Sequence, residues 1–107
     1  MRLCPRGAAS DDVVRQFRYY LVTLGRPDVA LRFLASVRST IQTLKKNPYL
    51  GAHYAVRNPQ LPELRCWPVA DFEQFGIYYT VGDDTVSLIR ILHGRRNIRR
   101  ILESERL

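Results

Sequence analysis

The hydrophobic period changes once along this 107-residue chain, and the change limits the fold more than any other feature. Up to residue 46 the apolar residues recur at steps of three and four, which is typical of amphipathic helices. From residue 64 onward, β-branched and aromatic residues gather in short runs that are typical of strands. Residues 47–62, which contain three prolines and a glycine, are predicted to be the loop between the two halves.

The first half is predicted to form two helices. Residues 11–24 are assigned to the first, with Ser10 as its N-cap, Asp11 and Asp12 in its first turn, and Gly25 as its stop.

The second helix is predicted to begin with Asp28 as its cap and to end before Pro48, because proline cannot continue a helix. Residues 25–27 then form a short turn, so the pair is expected to be an αα-hairpin.

The second half contains three strong strand candidates, which are the segments 64–69, 75–81 and 85–92. A weaker strand candidate covers residues 2–4, and residues 95–102 are predicted to form a short helix. This order of elements predicts one α+β domain over residues 1–107. An N-terminal helical hairpin should pack on a small, mainly antiparallel sheet, and a short C-terminal helix should complete it.

Alternation along the last strand predicts that it is covered on both sides and is therefore central. One face is expected to carry Val86, Leu88, Arg90 and Leu92, and the other Ile89 and Ile91. On the preceding strand, Tyr78 and Tyr79 should point to opposite faces, so that at most one of them lies in the core.

The chain is strongly basic, with 17 Lys+Arg against 10 Asp+Glu and a net charge of +7. The segments 1–51, 52–84 and 85–107 carry +6, −3 and +4, so the positive charge lies towards both ends of the chain. Such a balance favours a polyanionic or acidic partner, either nucleic acid or an acidic protein segment.

Arg65 and Arg90 are predicted within strands, where an arginine must reach the rim of the sheet or bind an anion. One interpretation is an ion pair with Glu63, Asp71 or Glu73, and the other is a sheet surface that binds phosphate or carboxylate. The C-terminal helix offers either a solvated face or a basic surface for an acidic partner, made of Arg95, Arg96, Arg99 and Arg100.

The sequence gives little support for a metal, cofactor or membrane site. His53, His93 and Cys66 lack the spacing of zinc ligands, and no glycine-rich phosphate loop is present. No metal and no cofactor are therefore expected. No apolar stretch is long enough to span a membrane, and no secretory signal is visible. We therefore expect no membrane partner and a cytoplasmic location.

The second half of the chain resembles the RelE/ParE superfamily of toxins from type II toxin–antitoxin modules. The resemblance lies in the run 64–69, in Phe72, in the run 75–79 and in the run 85–96, which ends with Leu92-His93-Gly94-Arg95-Arg96. In the helical half, Phe33-Leu34 and the run 47–51 are similar to the second helix of the family and the proline-glycine loop after it.

The resemblance implies a RelE/ParE-like fold and a toxin that halts growth when it is free of its cognate antitoxin. A toxin–antitoxin hetero-oligomer is a possible assembly. ParE-like members of the superfamily poison DNA gyrase. RelE-like members instead cleave mRNA on the ribosome, with basic residues that hold phosphates and a tyrosine or histidine near the C-terminus for acid–base work.

The ParE-like hypothesis is favoured because the strands contain no lysine and residues 103–107 contain neither tyrosine nor histidine. An arginine is a poor acid–base catalyst because its pKa lies above about 12. A nuclease site assembled from Arg65, Tyr78, Arg90 and His93 is the alternative. A third hypothesis is an inactive member that only binds its antitoxin. For target or antitoxin binding, the candidates are Arg65, Arg90, Arg95, Arg96, Arg99 and Arg100.

Overall fold

The computed structural model describes residues 1–107 and contains three α-helices and five strands. In chain order these are β1 (Arg2–Pro5), α1 (Gly7–Arg18), α2 (Pro27–Lys46), β2 (Ala52–His53), β3 (Arg65–Val69), β4 (Phe72–Val81), β5 (Thr85–His93) and α3 (Ile98–Glu103). A π-helical turn over Tyr19–Thr23 continues α1. The predicted α+β class, the helical hairpin and the short C-terminal helix are confirmed.

The five strands form one sheet in the order β1-β5-β4-β3-β2. β1 pairs with β5 in parallel, and the other three pairings are antiparallel. The weak candidate at the N-terminus is therefore a true strand, and β5 lies inside the sheet as predicted. β2 was not predicted, since its two residues fall within the segment assigned to the loop.

The first helix begins four residues earlier than predicted, at Gly7, so Ser10 is not its cap. Asp12 consequently lies in the middle of α1 and is buried. The π-helical turn that continues α1 ends at Thr23, one residue before the predicted end, and Gly25 follows with a φ of 60°, which glycine reaches at little cost. At the other end of the chain, α3 is preceded by Asn97, whose side chain accepts a hydrogen bond from the Arg100 amide.

Helices α1 and α2 cover one face of the sheet, which we call the hairpin face. Its core contains twelve buried residues, and the centre is aromatic. The ring of Phe33 on α2 meets Phe72 at 5.3 Å and Phe75 at 5.2 Å between centroids, and Tyr20 meets it at 5.6 Å. Edge-on contacts at these separations are favourable, so the hairpin is fixed to the sheet by aromatic packing.

The segment 54–64 and α3 cover the opposite face, which we call the tail face. Its core is smaller, with six buried residues: Leu61, Leu64, Tyr78, Ile89, Leu92 and Leu102. Both faces of the sheet are therefore filled with side chains.

A bulge in β5 changes which of its residues share a face. Tyr78 pairs with Arg90, but the next residue, Tyr79, pairs with Leu88, so Ile89 is an extra residue. Ile91 therefore joins Val86 and Leu88 in the hairpin-face core, and Ile89 and Leu92 lie in the tail-face core. The alternation predicted for this strand was therefore correct up to Ile89 and wrong for Ile91 and Leu92, which lie beyond the bulge. Tyr78 and Tyr79 point to opposite faces, but both are buried, because both faces are covered.

No helix of the chain is both long enough and apolar enough to cross a bilayer.

Candidate target-binding site

Arg90 lies at the edge of the sheet beyond the end of β1 and is bound to two carboxylates. Its Nε and Nη2 donate to the two oxygens of Asp12 at 2.7 and 2.8 Å, and Nη1 donates to Glu105 Oε1 at 2.5 Å. The side chain is only 12% exposed. Hydrogen bonding to Asp12, and then to Glu105, raises the pKa of Arg90 above its usual value, so the group stays charged.

Asp12 also accepts a hydrogen bond from the Ile91 amide at 2.9 Å. β1 ends at Pro5, which is paired with Leu88. Beyond Leu88, β5 therefore has no neighbouring strand on that side, and Asp12 takes the place of a strand partner for the Ile91 amide. The ion pair expected for Arg90 is present, but the partners predicted for it, Glu63, Asp71 and Glu73, were wrong. All three nitrogens of the guanidinium are engaged within the chain.

Arg65 fastens the segment 47–53 to β3. Its Nη1 donates to the carbonyls of Gly51 at 2.7 Å and Tyr49 at 3.3 Å, its Nη2 lies 3.2 Å from His53 Nε2, and its guanidinium carbon lies 5.0 Å from the Tyr49 ring centroid. This arginine also does not pair with any of the three predicted carboxylates.

Tyr79 fastens the same segment from beneath. Its hydroxyl donates to the Pro48 carbonyl at 2.8 Å and accepts from the Gly51 amide at 2.8 Å. Gly51 is required there, since a Cβ on it would lie 2.5 Å from that hydroxyl. Sequence reasoning missed this role of Tyr79, and the Pro-x-x-Gly spacing of residues 48–51 was the only local signal.

Tyr78 lies in the tail-face core beside Cys66 and edge-on to Tyr54, at 5.3 Å between ring centroids. Burial raises the pKa of the Tyr78 hydroxyl, and the neighbouring Cys66 adds to the effect. Burial also raises the pKa of the Cys66 thiol. Neither group exchanges a proton readily near neutral pH.

The four residues of the alternative nuclease site do not converge. Tyr78 and Arg90 are opposite each other on β4 and β5, but Arg65 pairs with Tyr79 and points into the 47–53 segment. His93 pairs with Phe75, three residues along β4 from Tyr78, which corresponds to about 10 Å. No group of three or more histidine, cysteine or acidic side chains is arranged to hold a metal ion.

The C-terminal arginines fall into two groups. Arg99 lies over the Tyr54 ring, with 5.2 Å to its centroid, and donates to the Ala55 carbonyl. Arg95, Arg96 and Arg100 are exposed and form no ion pair. Arg95 and Arg96 lie in the turn before α3, and not in the helix as predicted. These three arginines can reach an external anion without breaking a contact within the chain.

The outer side of the helical hairpin is an unpartnered apolar surface, which we call the hairpin groove. Val14, Leu21 and Val22 are exposed there, and Val14 is 49% exposed. Two adjoining depressions of about 330 and 570 Å³ follow it, and Arg18 and Arg38 stand beside them.

The helical hairpin, the five-stranded mixed sheet and the short C-terminal helix are consistent with an α+β fold of the ParE-like type. The chain belongs to the family described as ParE toxin of type II toxin–antitoxin system, parDE, whose sequence profile matches residues 6–98.

Among solved structures, the chain is similar to one from the chromosomal ParDE TA system of P. aeruginosa, with a TM-score of 0.68 and 20% sequence identity. The alignment covers 87% of this chain and 95% of that chain. At this identity the likeness shows a shared fold and no more. No curated protein matches the chain.

Proposed function

We propose that this chain is a ParE-like toxin that arrests growth by poisoning DNA gyrase, and that a cognate antitoxin neutralises it. Membership of the ParE family supports the toxin class. The observation that carries the choice of gyrase over mRNA is that the four candidate nuclease residues do not converge, since Arg65 is bound to the 47–53 segment and His93 lies beside Phe75, away from the Tyr78–Arg90 pair.

General acid–base catalysis needs a group that exchanges a proton near the working pH, placed within reach of the substrate. The pKa of Tyr78 is raised by burial, and the side chain lies in the same buried core as Leu61 and Leu102. Arg65 and Arg90 are bound within the chain. A toxin built in this way acts by binding a macromolecule.

The RelE-like alternative has one observation in its favour. Tyr78 and Arg90 are directly opposite each other on β4 and β5, so a displaced α3 would uncover both. In that arrangement the tail face would become the nuclease surface.

A pair of assays with the purified protein separates the two activities. With gyrase, relaxed plasmid and ATP we expect lost supercoiling and accumulation of cleaved DNA, while mRNA on programmed ribosomes stays intact. Transcripts cut on the ribosome with gyrase unaffected would contradict the proposal, and so would normal growth of cells that express the folded protein without an antitoxin.

The antitoxin is proposed to cover the hairpin groove with an amphipathic helical segment that carries acidic residues. The groove offers apolar surface for one side of such a helix, and Arg18 and Arg38 beside it complement acidic residues on the other. An unpartnered apolar surface of this kind usually marks an interface.

The proposal for the antitoxin is tested with Val14→Asp, in which a carboxylate replaces an exposed apolar side chain inside the groove. Ser39→Asp is the matched control, because Ser39 is exposed on α2 and does not line the groove. We expect Val14→Asp to weaken antitoxin binding at least tenfold in calorimetry and Ser39→Asp to leave it unchanged. Equal affinities of the two variants would place the antitoxin elsewhere.

A further inference from the structure

A polar cleft lies between the end of α1 and the end of β5. It is separate from the hairpin groove, and the proposed function assigns it no role. Its volume is about 450 Å³, and its lining includes Gln16, Tyr19, Gln74, His93, Arg95 and Arg96. Three separate parts of the fold therefore contribute to it: the α1 end, β4, and the turn after β5. A smaller crevice beside it shares Gln16, His93 and Arg96 and adds Arg15.

The cleft is positively charged and is not neutralised from within. Arg95 and Arg96 form no ion pair, and the carboxylate that borders the smaller crevice, Asp12, is already bound by Arg90. Arg15 lies 3.7 Å from the same carboxylate and is mostly exposed. Unpaired guanidinium groups present planar sets of donors that suit a phosphate group.

His93 adds a further donor at the floor of the cleft. Its Nδ1 accepts a hydrogen bond from the Arg95 amide at 3.0 Å, so the neutral ring carries its proton on Nε2. Nε2 has no partner within the chain. The ring is held edge-on against Phe75 at 5.0 Å between centroids, which limits its rotation.

The end of α1 and β4 contribute an aromatic ring and two amides to the cleft. Tyr19 is 45% exposed, although its ring is supported edge-on by Tyr20 at 5.9 Å. The π-helical turn that begins at Tyr19 places this ring beside the arginines. Gln16 and Gln74 each offer both a donor and an acceptor to the edge of a base.

We infer that this cleft binds a nucleotide of a single-stranded nucleic acid, with the phosphate on Arg95 and Arg96 and the base on Tyr19. An acidic peptide would pair with the arginines but has no flat ring to stack on the exposed face of Tyr19. A base within a duplex is already stacked and cannot lie on a tyrosine, whereas an unstacked base can. The inference goes beyond the proposed function and holds for any target of the toxin.

The first test is fluorescence anisotropy of a labelled eight-nucleotide DNA strand, measured over a series of salt concentrations. The variant Arg95→Gln/Arg96→Gln should bind at least about tenfold more weakly, since each charge-assisted contact contributes appreciably. The slope of log K against log salt should become shallower by about 1.4, the value for two phosphate contacts on a single strand.

The matched control is Arg2→Gln/Arg6→Gln, which removes the same charge from exposed residues at and just beyond β1. Arg2 is in register with Thr85, at the end of β5 remote from His93. We expect this variant to bind the strand within about twofold of the unmodified protein, a change of about 0.4 kcal/mol. Equal losses in the two variants would show a diffuse charge effect and would overturn the inference.

The second test addresses the base and remains informative if the arginine variant does not fold. Tyr19→Leu should weaken binding of the strand about fivefold or more, because it removes a stacking ring and keeps an apolar side chain. Inorganic phosphate should compete only weakly, a mononucleotide better, and the strand best. A polyglutamate peptide or a duplex that competes as well as the strand would contradict the assignment.

The anisotropy assay contains no gyrase and no ribosome, so its failure leaves the proposed function standing. Conversely, if the protein binds the DNA strand in this cleft but has no effect on gyrase, the proposed function is contradicted and the inference about the cleft still stands.

Discussion

The two faces of the sheet are closed by different means. On the hairpin face, two helices of 12 and 20 residues cover a core whose centre is a group of aromatic rings. On the tail face, a segment without regular structure and a helix of six residues cover half as many buried residues. Polar contacts add to the smaller apolar core of the tail face, since Asn58 donates to the carbonyls of Leu102 and Glu105, both at 2.9 Å.

This difference indicates which face can open. Apolar burial on the hairpin face involves most of the chain, so its loss amounts to global unfolding. The tail-face cover is held by a few side chains near the C-terminus, and we expect it to separate while the hairpin stays folded. Arg90 connects the covers of the two faces, because it binds Asp12 on α1, which covers the hairpin face, and Glu105, which follows α3 on the tail face.

The largest expected effect comes from truncating matched, fully buried side chains on the two faces. Leu44→Ala on the hairpin face, which removes the same side chain from an equally buried position, should lower the free energy of unfolding by about 3–5 kcal/mol. Leu102→Ala on the tail face should lower it by about 2–3 kcal/mol, because a short terminal helix can relax into the space. Urea denaturation of both variants gives the two values. A larger loss for Leu102→Ala would reverse the comparison.

The connection between the covers of the two faces is tested by Arg90→Ala. The substitution leaves Asp12 buried without its cation, and we expect a loss of about 2–4 kcal/mol, somewhat below that of a fully enclosed pair. Arg96→Ala is the matched control, because this arginine is exposed and unpaired, and it should change stability by less than about 0.5 kcal/mol. Thermal or urea unfolding distinguishes them. Similar stabilities of the two variants would mean that the Arg90 contacts are not formed in solution.

Opening of the tail face alone is tested by Asn58→Ala. Removing the amide leaves two carbonyls without their donor, which corresponds to about 1–3 kcal/mol of local stability. Hydrogen exchange of the α3 amides should accelerate accordingly, while exchange in α2 stays unchanged. Gln60→Ala, which loses only an exposed bond to the Leu107 amide, should have little effect. Uniform acceleration across both helices would show that the tail does not open independently.

The sequence predicts local secondary structure well, but it does not predict where the register of a strand shifts. The helical hairpin and the three main strands follow from periodicities within single segments, and these predictions were confirmed. The bulge at Ile89 could not be predicted, because a β-branched residue in an apolar run gives no sign that the register shifts there. Ile89 itself lies on the predicted face, whereas Ile91 and Leu92, which follow the bulge, lie on the faces opposite to those predicted.

The contacts of the candidate site join residues that are distant in sequence. Arg90 and Asp12 are 78 positions apart, and Asp12 has a sufficient local explanation as a residue near a helix start. Arg95, Arg96 and His93 were named from the sequence, but Tyr19 and Gln16 were not. Only the packing of α1 on the sheet brings the end of that helix beside the end of β5.

The smallest expected effect concerns an ion pair that is fully exposed, Arg26 with Asp28, in contrast to the buried pair of Arg90. A bidentate hydrogen bond from Arg26, at 3.1 and 2.9 Å, lowers the pKa of Asp28 from 3.8 to about 2. The stabilisation from a lowered pKa is complete above the ordinary value of 3.8 and is lost as the pH falls towards about 2. Solvent screens this pair, so Asp28→Asn should leave the unfolding midpoint at neutral pH almost unchanged.

An NMR titration of the Asp28 carboxyl carbon measures this contact directly. The midpoint should lie near 2 in the unmodified protein and return towards 3.8 in Arg26→Gln, because the donor that favours the charged carboxylate is then absent. A midpoint that does not respond to Arg26→Gln would assign the shift to the start of α2 instead. The pair lies where the turn of the hairpin meets the start of α2, and neither residue is buried in the core of either face. Its titration should therefore leave the protection factors of the α3 amides unchanged, once the intrinsic pH dependence of exchange is taken into account. Unchanged protection separates the effect of surface charge from the contacts that hold the tail.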